Sequence, residues 1–193
     1  MLYNGRTYGV LIVSSSEKFN TSVAALLPEA YYSPVNIVRS VAAAERALLE
    51  QFYDFVFVNL PLPDDYGTRF AIDICNDKDA VVLVYIRAEQ YEEIHAKVFE
   101  QGVFTLPKPT SAQMISQALE WMAATRERLR KLKKKTITIE EKMEEIRLVN
   151  RAKWYLIDKM KLTETEAHRY IEKQAMDRCK TRREIAENII KTT

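Results

Sequence analysis

Three uninterrupted apolar runs mark the first part of the chain: 9–13 (GVLIV), 55–58 (FVFV) and 81–86 (VVLVYI). A strand with one wet face alternates apolar and polar residues. A run without alternation fits a strand covered on both faces, as in a parallel sheet. Shorter apolar stretches at 35–38 and 103–106 read as two more strands. Helical periodicity fills the gaps at about 17–27, 41–52, 67–76 and 90–100, and another helix starts near 110. Strand and helix alternating five times predict an open, doubly wound (βα)5 sheet, an α/β domain over residues 1–120. Ligands of such sheets lie beyond the carboxyl ends of the strands, so the residues after each run are the ones to read for chemistry.

From 119 to about 157 the chain has no Gly or Pro, and its pattern changes. Met122, Thr125, Leu129, Leu132, Thr136, Ile139, Met143, Ile146 and Asn150 recur at alternating steps of three and four. That is an a/d seam, so residues 121–149 are expected to form a long coiled-coil helix and, through it, a parallel homodimer. Thr136 and Asn150 are weak seam residues, although a buried Asn sets register. The β-branched run Thr136, Ile137, Thr138, Ile139 is a poor helix former, which leaves room for a local break. Arg126, Arg128, Arg130, Lys131, Lys133, Lys134 and Lys135 crowd the first half of the connector. They read either as a phosphate-contacting stripe or as a solvated face pairing across helices with Glu140, Glu141, Glu144 and Glu145. The solvated face is the favoured reading.

Residues 150–193 then read as all-α. Thr163 with Glu166, and Thr181 with Glu184, are capping boxes that divide the segment. They predict three short helices: one ending near Lys161, one over about 164–178 and one over about 182–190. Ala167, Tyr170, Ile171, Gln174 and Ala175 share a face of the middle helix, and Ile185, Ala186, Ile189 and Ile190 one of the last. Faces this small are stable only when packed together as a bundle.

Charge sharpens this division. Residues 1–120 carry 9 Lys+Arg against 15 Asp+Glu, a net of −6, whereas residues 121–193 carry 20 against 12, a net of +8. Only the second part is suited to a polyanion. Cys75 and Cys179, the two cysteines, suggest neither a disulfide framework nor a metal site. No apolar run reaches the roughly 18 residues that span a bilayer, and the first residues lack a signal-peptide pattern, so a cytoplasmic protein is expected.

The last segment resembles the ANTAR domain, the RNA-binding module of antitermination response regulators. The matching residues are Ala152, Leu162-Thr163-Glu164, Glu166-Ala167, Ile171, Ala175-Met176 and Ile185-Ala186 before Ile189-Ile190. One departure is His168, at a position where the family usually carries an aromatic residue. Residues 8 to about 120 resemble the receiver domain of two-component response regulators, a flavodoxin-like fold. Pro63 and Gly67 stand at the family's spacing after the third strand, and Lys108-Pro109 after the fifth. A receiver takes a phosphoryl group onto an aspartate with magnesium held by carboxylates. Here Ser14 and Ser15 stand at the acidic pair, Asn59 at the acceptor and Arg87 at the usual threonine or serine. Lys108 alone survives, and is left without an acid to pair with unless Glu17 or Asp64 bends in. The resemblance therefore implies a pseudo-receiver with a degenerate phosphorylation site.

The same resemblance implies binding of paired hairpins in leader mRNA, which keeps a terminator from forming. Its candidate RNA contacts are Lys153, Lys159, Lys161, His168, Arg169, Lys173, Arg178, Lys180, Arg182 and Arg183, where cations would meet phosphates and unpaired loop bases are readable. The pseudo-receiver would take a regulatory protein or a small ligand, or serve dimerisation. No cofactor, metal or membrane contact is expected. With 4 Gly and 2 His and no nucleophile–base pair or phosphate-cradling loop, catalysis is not expected either. A DNA-binding regulator and a protein-partner adaptor remain as alternatives, separable by preference for hairpin RNA over duplex DNA.

Overall fold

The computed structural model describes residues 6–191 and divides after Arg130 into two compact units. In the first, five parallel strands lie in the order β2-β1-β3-β4-β5. They are β1 (Tyr8–Val13), β2 (Tyr32–Val38), β3 (Phe55–Asn59), β4 (Val81–Arg87) and β5 (Phe104–Lys108). Between them run α1 (Glu17–Ala24), α2 (Val41–Glu50), α3 (Thr68–Asp77) and α4 (Tyr91–Phe99). This is the doubly wound flavodoxin-like sheet that the alternating pattern predicts.

The apolar runs are unbroken because both faces of the central strands are covered. Leu11, Val13, Val56, Val58, Val82 and Val84 point to one side, into a core with Ala44, Phe70, Ile74, Ile94 and Val98. Val10, Ile12, Phe55, Phe57, Leu83 and Tyr85 point to the other, against Val23, Ile115, Leu119 and Met122. Burying one such side chain stabilises the fold by about 1.5–3 kcal/mol. The edge strand β2 keeps only Tyr32 fully buried, and its sequence is accordingly mixed. Gly67, before α3, has φ +90, and a Cβ there would come within 2.7 Å of Leu60 Cδ2. A left-handed turn this close to a core leucine is open only to glycine.

The connector and the first of the expected short helices are one element, α5 (Ala112–Met160), 49 residues long. The helix does not break at the β-branched run. Thr136 Oγ1 donates to Leu132 O at 3.1 Å and Thr138 Oγ1 to Lys134 O at 2.9 Å, so both hydroxyls find partners within the helix. The start of the expected seam belongs elsewhere: Met122 is fully buried in the sheet core. Arg126 and Arg130 are neither a solvated face nor a phosphate stripe. Arg126 Nε donates to Asp54 Oδ1 at 2.7 Å and Arg130 NH2 to the same oxygen at 2.6 Å. Asp54 is 5% exposed, and a carboxylate that deep needs cations to offset its lost hydration.

In the second unit the end of α5 packs with α6 (Glu164–Asp177) and α7 (Arg182–Lys191). Ala152, Leu156, Ala167, Ile171, Ile185 and Ala186 form its buried core, with Tyr170, Ala175, Ile189 and Ile190 packed against them. Both capping boxes form. Glu166 N donates to Thr163 Oγ1 and Thr163 N returns to Glu166 Oε2. Thr181 and Glu184 repeat the exchange. These bonds hold the Glu166 and Glu184 carboxyls below the usual range. No helix among the described residues is long and apolar enough to cross a membrane.

Candidate functional site

Beyond the carboxyl ends of the strands, the residues expected to form a degenerate phosphorylation site come together. Ser14 is fully buried and its Oγ accepts from Asn59 Nδ2 at 2.8 Å and from Ser16 N at 3.1 Å. Ser15, Asn59, Arg87 and Lys108 line one cavity of about 480 Å³. Magnesium seeks hard, charged oxygens in octahedral array. This donor set offers hydroxyls and an amide, with Ser14 already committed, so it does not fit the ion. An amide at Asn59 also cannot form an acyl phosphate.

The lysine at this site is not paired with an acid among the described residues. Lys108 Nζ donates to the Leu60 carbonyl, Glu17 is taken by Arg39, and the Asp64 carboxylate caps α2 by accepting from Val41 N and Ala42 N at 2.9 and 3.0 Å. Those amide donors hold Asp64 below the usual carboxylate range. Lys108 is moved further. Burial, with the Arg87 guanidinium beside it, pulls its ammonium down from 10.5 to about 8. Arg87 and Lys108 are direct register partners on β4 and β5, an arrangement of like charges that costs stability when nothing lies between them.

The candidate RNA contacts spread over the three helices of the second unit. Lys153 and Lys159 lie on α5, Lys161 in the turn after it, and His168, Arg169 and Lys173 on α6. Arg178 caps the end of α6, Lys180 follows, and Arg182 and Arg183 open α7. Several are engaged: Lys153 with Glu164 at 2.9 Å, Arg182 with Glu145 at 3.2 Å, Arg183 with Glu187 at 3.1 Å and His168 with Glu172 at 3.2 Å. Lys159 stands 3.9 Å from Asp158. Lys161, Arg169, Lys173, Arg178 and Lys180 are exposed and form no ion pair among the described residues. The ten do not converge. Lys153 lines one hollow of about 440 Å³ and Arg178 another of about 310 Å³ beside Tyr155 and Tyr170.

One residue of this surface escapes a reading of the sequence. Trp154 is 71% exposed and lines the hollow that holds Lys153 and Asn150. An indole left in water beside a cation is a platform on which an unpaired base stacks. In the sequence Trp154 merges with the apolar stretch Trp154, Tyr155, Leu156, Ile157, and only the burial of Leu156 beside it shows that the indole was left outside the bundle.

The first unit has a receiver-type α/β fold, and the second is all-α. The receiver fold is shared with the signal receiver domain of an HD domain-containing protein from Pseudomonas fluorescens Pf-5, at TM-score 0.58 and 22% identity over 65% of this chain and 93% of that one. It is shared too with a response regulator receiver domain protein from Methanospirillum hungatei JF-1, at TM-score 0.56 and 16% identity over 63% and 98%. The ANTAR domain matches residues 138–190. The transcriptional regulatory protein PdtaR of Mycobacterium tuberculosis is 27% identical over 139 residues, 72% of this chain and 68% of that protein. The chain thus carries a segment that matches the ANTAR domain, behind a domain with the receiver fold.

Proposed function

We propose that the protein is a transcription antiterminator that binds hairpins in leader mRNA through the α5–α7 bundle, as a dimer, under an input other than aspartyl phosphorylation. The observation that carries the RNA reading is the set of unneutralised cations on and around α6, within the segment that matches the ANTAR domain. Arg169 and Lys173 are four residues apart, so they share a face of α6, while Ala167 and Ile171 are buried in the core. Lys and Arg placed this way neutralise phosphates, and loop bases supply the sequence information. Trp154 adds a stacking surface. Lys153, half-buried against Glu164, serves to fix α6 against α5 rather than as a free contact.

Dimerisation is supported by the middle of α5. Leu132, Ile139, Met143 and Ile146 remain about half exposed along one repeat. Joining two bundles places two hairpins under one effective concentration and raises avidity without any further interface. Asn59 in place of an acceptor aspartate, with no carboxylate set for magnesium, supports independence from phosphorylation.

The test is binding of the full chain to a pool of structured RNA hairpins against duplex DNA, across a salt series. Hairpin preference with affinity falling linearly in log salt is expected. Arg169→Ala with Lys173→Ala should reduce the slope by about 0.7–0.9 for each phosphate that the variant no longer neutralises. Equal capture of duplex DNA would indicate a DNA-binding regulator, and no nucleic-acid binding a protein adaptor. Sedimentation of Ile139→Asp and Met143→Asp, expected to be monomeric, tests the dimer.

A further inference from the structure

The cavity at the carboxyl ends of β1, β3, β4 and β5 has the wrong chemistry for phosphoryl transfer and a coherent chemistry for something else. Lys18, Arg87 and Lys108 line it, together with the hydroxyls of Ser15, Ser22 and Thr110, and no carboxylate does so among the described residues. Glu89 lies in an adjoining hollow past Arg87. Two buried polar groups of the wall are without partners: the Tyr85 hydroxyl, in a residue 1% exposed, and Asn59 Oδ1, in a residue 9% exposed. A buried hydroxyl left unbonded is destabilising, because it has given up water without a replacement partner. Paired like charges on adjacent strands and unsatisfied groups in one wall are both relieved by a bound anion with oxygens to share. Phe19, Val23 and Ile115 form the apolar side of the same cavity. The volume of about 480 Å³ exceeds what a bare oxyanion fills.

We propose that this cavity binds a small organic phosphate non-covalently, its phosphoryl group between Arg87 and Lys108 and its apolar body against Phe19 and Ile115. Guanidinium and ammonium form charge-assisted hydrogen bonds to phosphoryl oxygens, and the Tyr85 hydroxyl and Asn59 side chain complete the polar wall. Where a receiver would use carboxylates and a metal to take up a phosphoryl group, this one presents cations that hold a phosphate already made. The pseudo-receiver would thus take its input as occupancy rather than as a covalent mark.

The test is a titration of the ¹⁵N-labelled full chain with inorganic phosphate and with phenyl phosphate at constant ionic strength and pH 7, chloride being the reference. Site-resolved amide shifts separate this cavity from the basic bundle. Saturable shifts at Ser15, Asn59, Arg87 and Lys108 are expected, with phenyl phosphate binding more tightly than inorganic phosphate. Arg87→Glu should weaken that binding at least tenfold, and Asn59→Asp, which returns a carboxylate to the wall, should weaken it too. Lys78→Glu, on the far end of α3, should leave it unchanged. Shifts confined to the bundle, shifts that chloride reproduces, or equal binding by Arg87→Glu would overturn the proposal.

Discussion

Asp54 and Arg126, 72 residues apart, form a buried ion pair in which Arg126 Nε stands 2.7 Å from Asp54 Oδ1. The other carboxylate oxygen accepts from Gly9 N at 3.1 Å, and Arg126 NH1 reaches the Asp79 carbonyl at 2.8 Å. The pair therefore ties the edge of the sheet before β1 and β3 to α5, one turn beyond Ala123, which still packs on the sheet. The Arg126 guanidinium also lies over the Phe52 ring, 5.0 Å from its centroid.

Removing one partner leaves a buried charge unmatched. Asp54→Ala is expected to destabilise the first unit by on the order of 3–5 kcal/mol, whereas Asp54→Leu with Arg126→Met should recover most of that loss. Urea unfolding followed at Trp121, in a Trp154→Phe background, measures both. A double variant as unstable as the single one would mean that the pair contributes more than the hydrophobic side chains replacing it.

What the sequence discloses depends on how local the cause is. The capping boxes at Thr163 and Thr181 are legible because both halves lie three residues apart, and the central strands because burial on two faces leaves an unbroken apolar run. Arg126 is not legible: among Arg128, Arg130 and Lys131 it looks like one more solvated cation, and only Asp54, distant in sequence, sets it apart. The cavity is legible in part. Asn59, Arg87 and Lys108 stand at strand ends by their place in the pattern, but Lys18, Ser22 and Thr110 join them only through the packing of α1 and the start of α5. Trp154 is hidden for the opposite reason, since its apolar neighbours suggest burial.

Lys108 makes stability depend on pH in a window that can be named. Its folded value is depressed to about 8 from 10.5, so between these limits the unfolded chain binds more protons than the folded one. Stability then rises with pH across that interval by linkage. Burial raises the Cys75 thiol from 9.0, and the tyrosines Tyr8, Tyr66 and Tyr85 are raised from 10.0, so these groups oppose the trend toward higher pH in wild type and variant alike, and the comparison with Lys108→Met isolates the lysine. Thermal melts of the wild type and Lys108→Met over pH 7–9.5 test this. The wild type should gain relative to the variant as pH rises, and parallel curves would remove Lys108 as the cause.

The bundle rests on its caps more than a larger domain would. Thr163→Ala removes the acceptor for Glu166 N at the start of α6 and is expected to cost about 1 kcal/mol. Thr163→Ser keeps the hydroxyl and should cost much less. Helical ellipticity through a urea titration reads the difference. Acid should mimic the lesion: the Glu166 and Glu184 carboxyls are held low in the fold, so their contribution is present above the unfolded value and lost as pH falls through the folded one.

Trp154 gives the RNA reading its own reporter. With Trp121→Phe the remaining indole is that of Trp154, beside Lys153 and Asn150 in the same hollow. A base stacking on it should quench the fluorescence in proportion to hairpin bound, and Trp154→Ala should cost about 1–3 kcal/mol of binding, the range for one base on an aromatic platform. Because the indole lies outside the core formed by Ala152 and Leu156, the same substitution should leave the melting temperature nearly unchanged. Loss of binding with an unchanged melt places Trp154 in the interface. Loss of both would show that it supports the bundle, and loss of neither would move the RNA surface to the α6 face that carries Arg169 and Lys173.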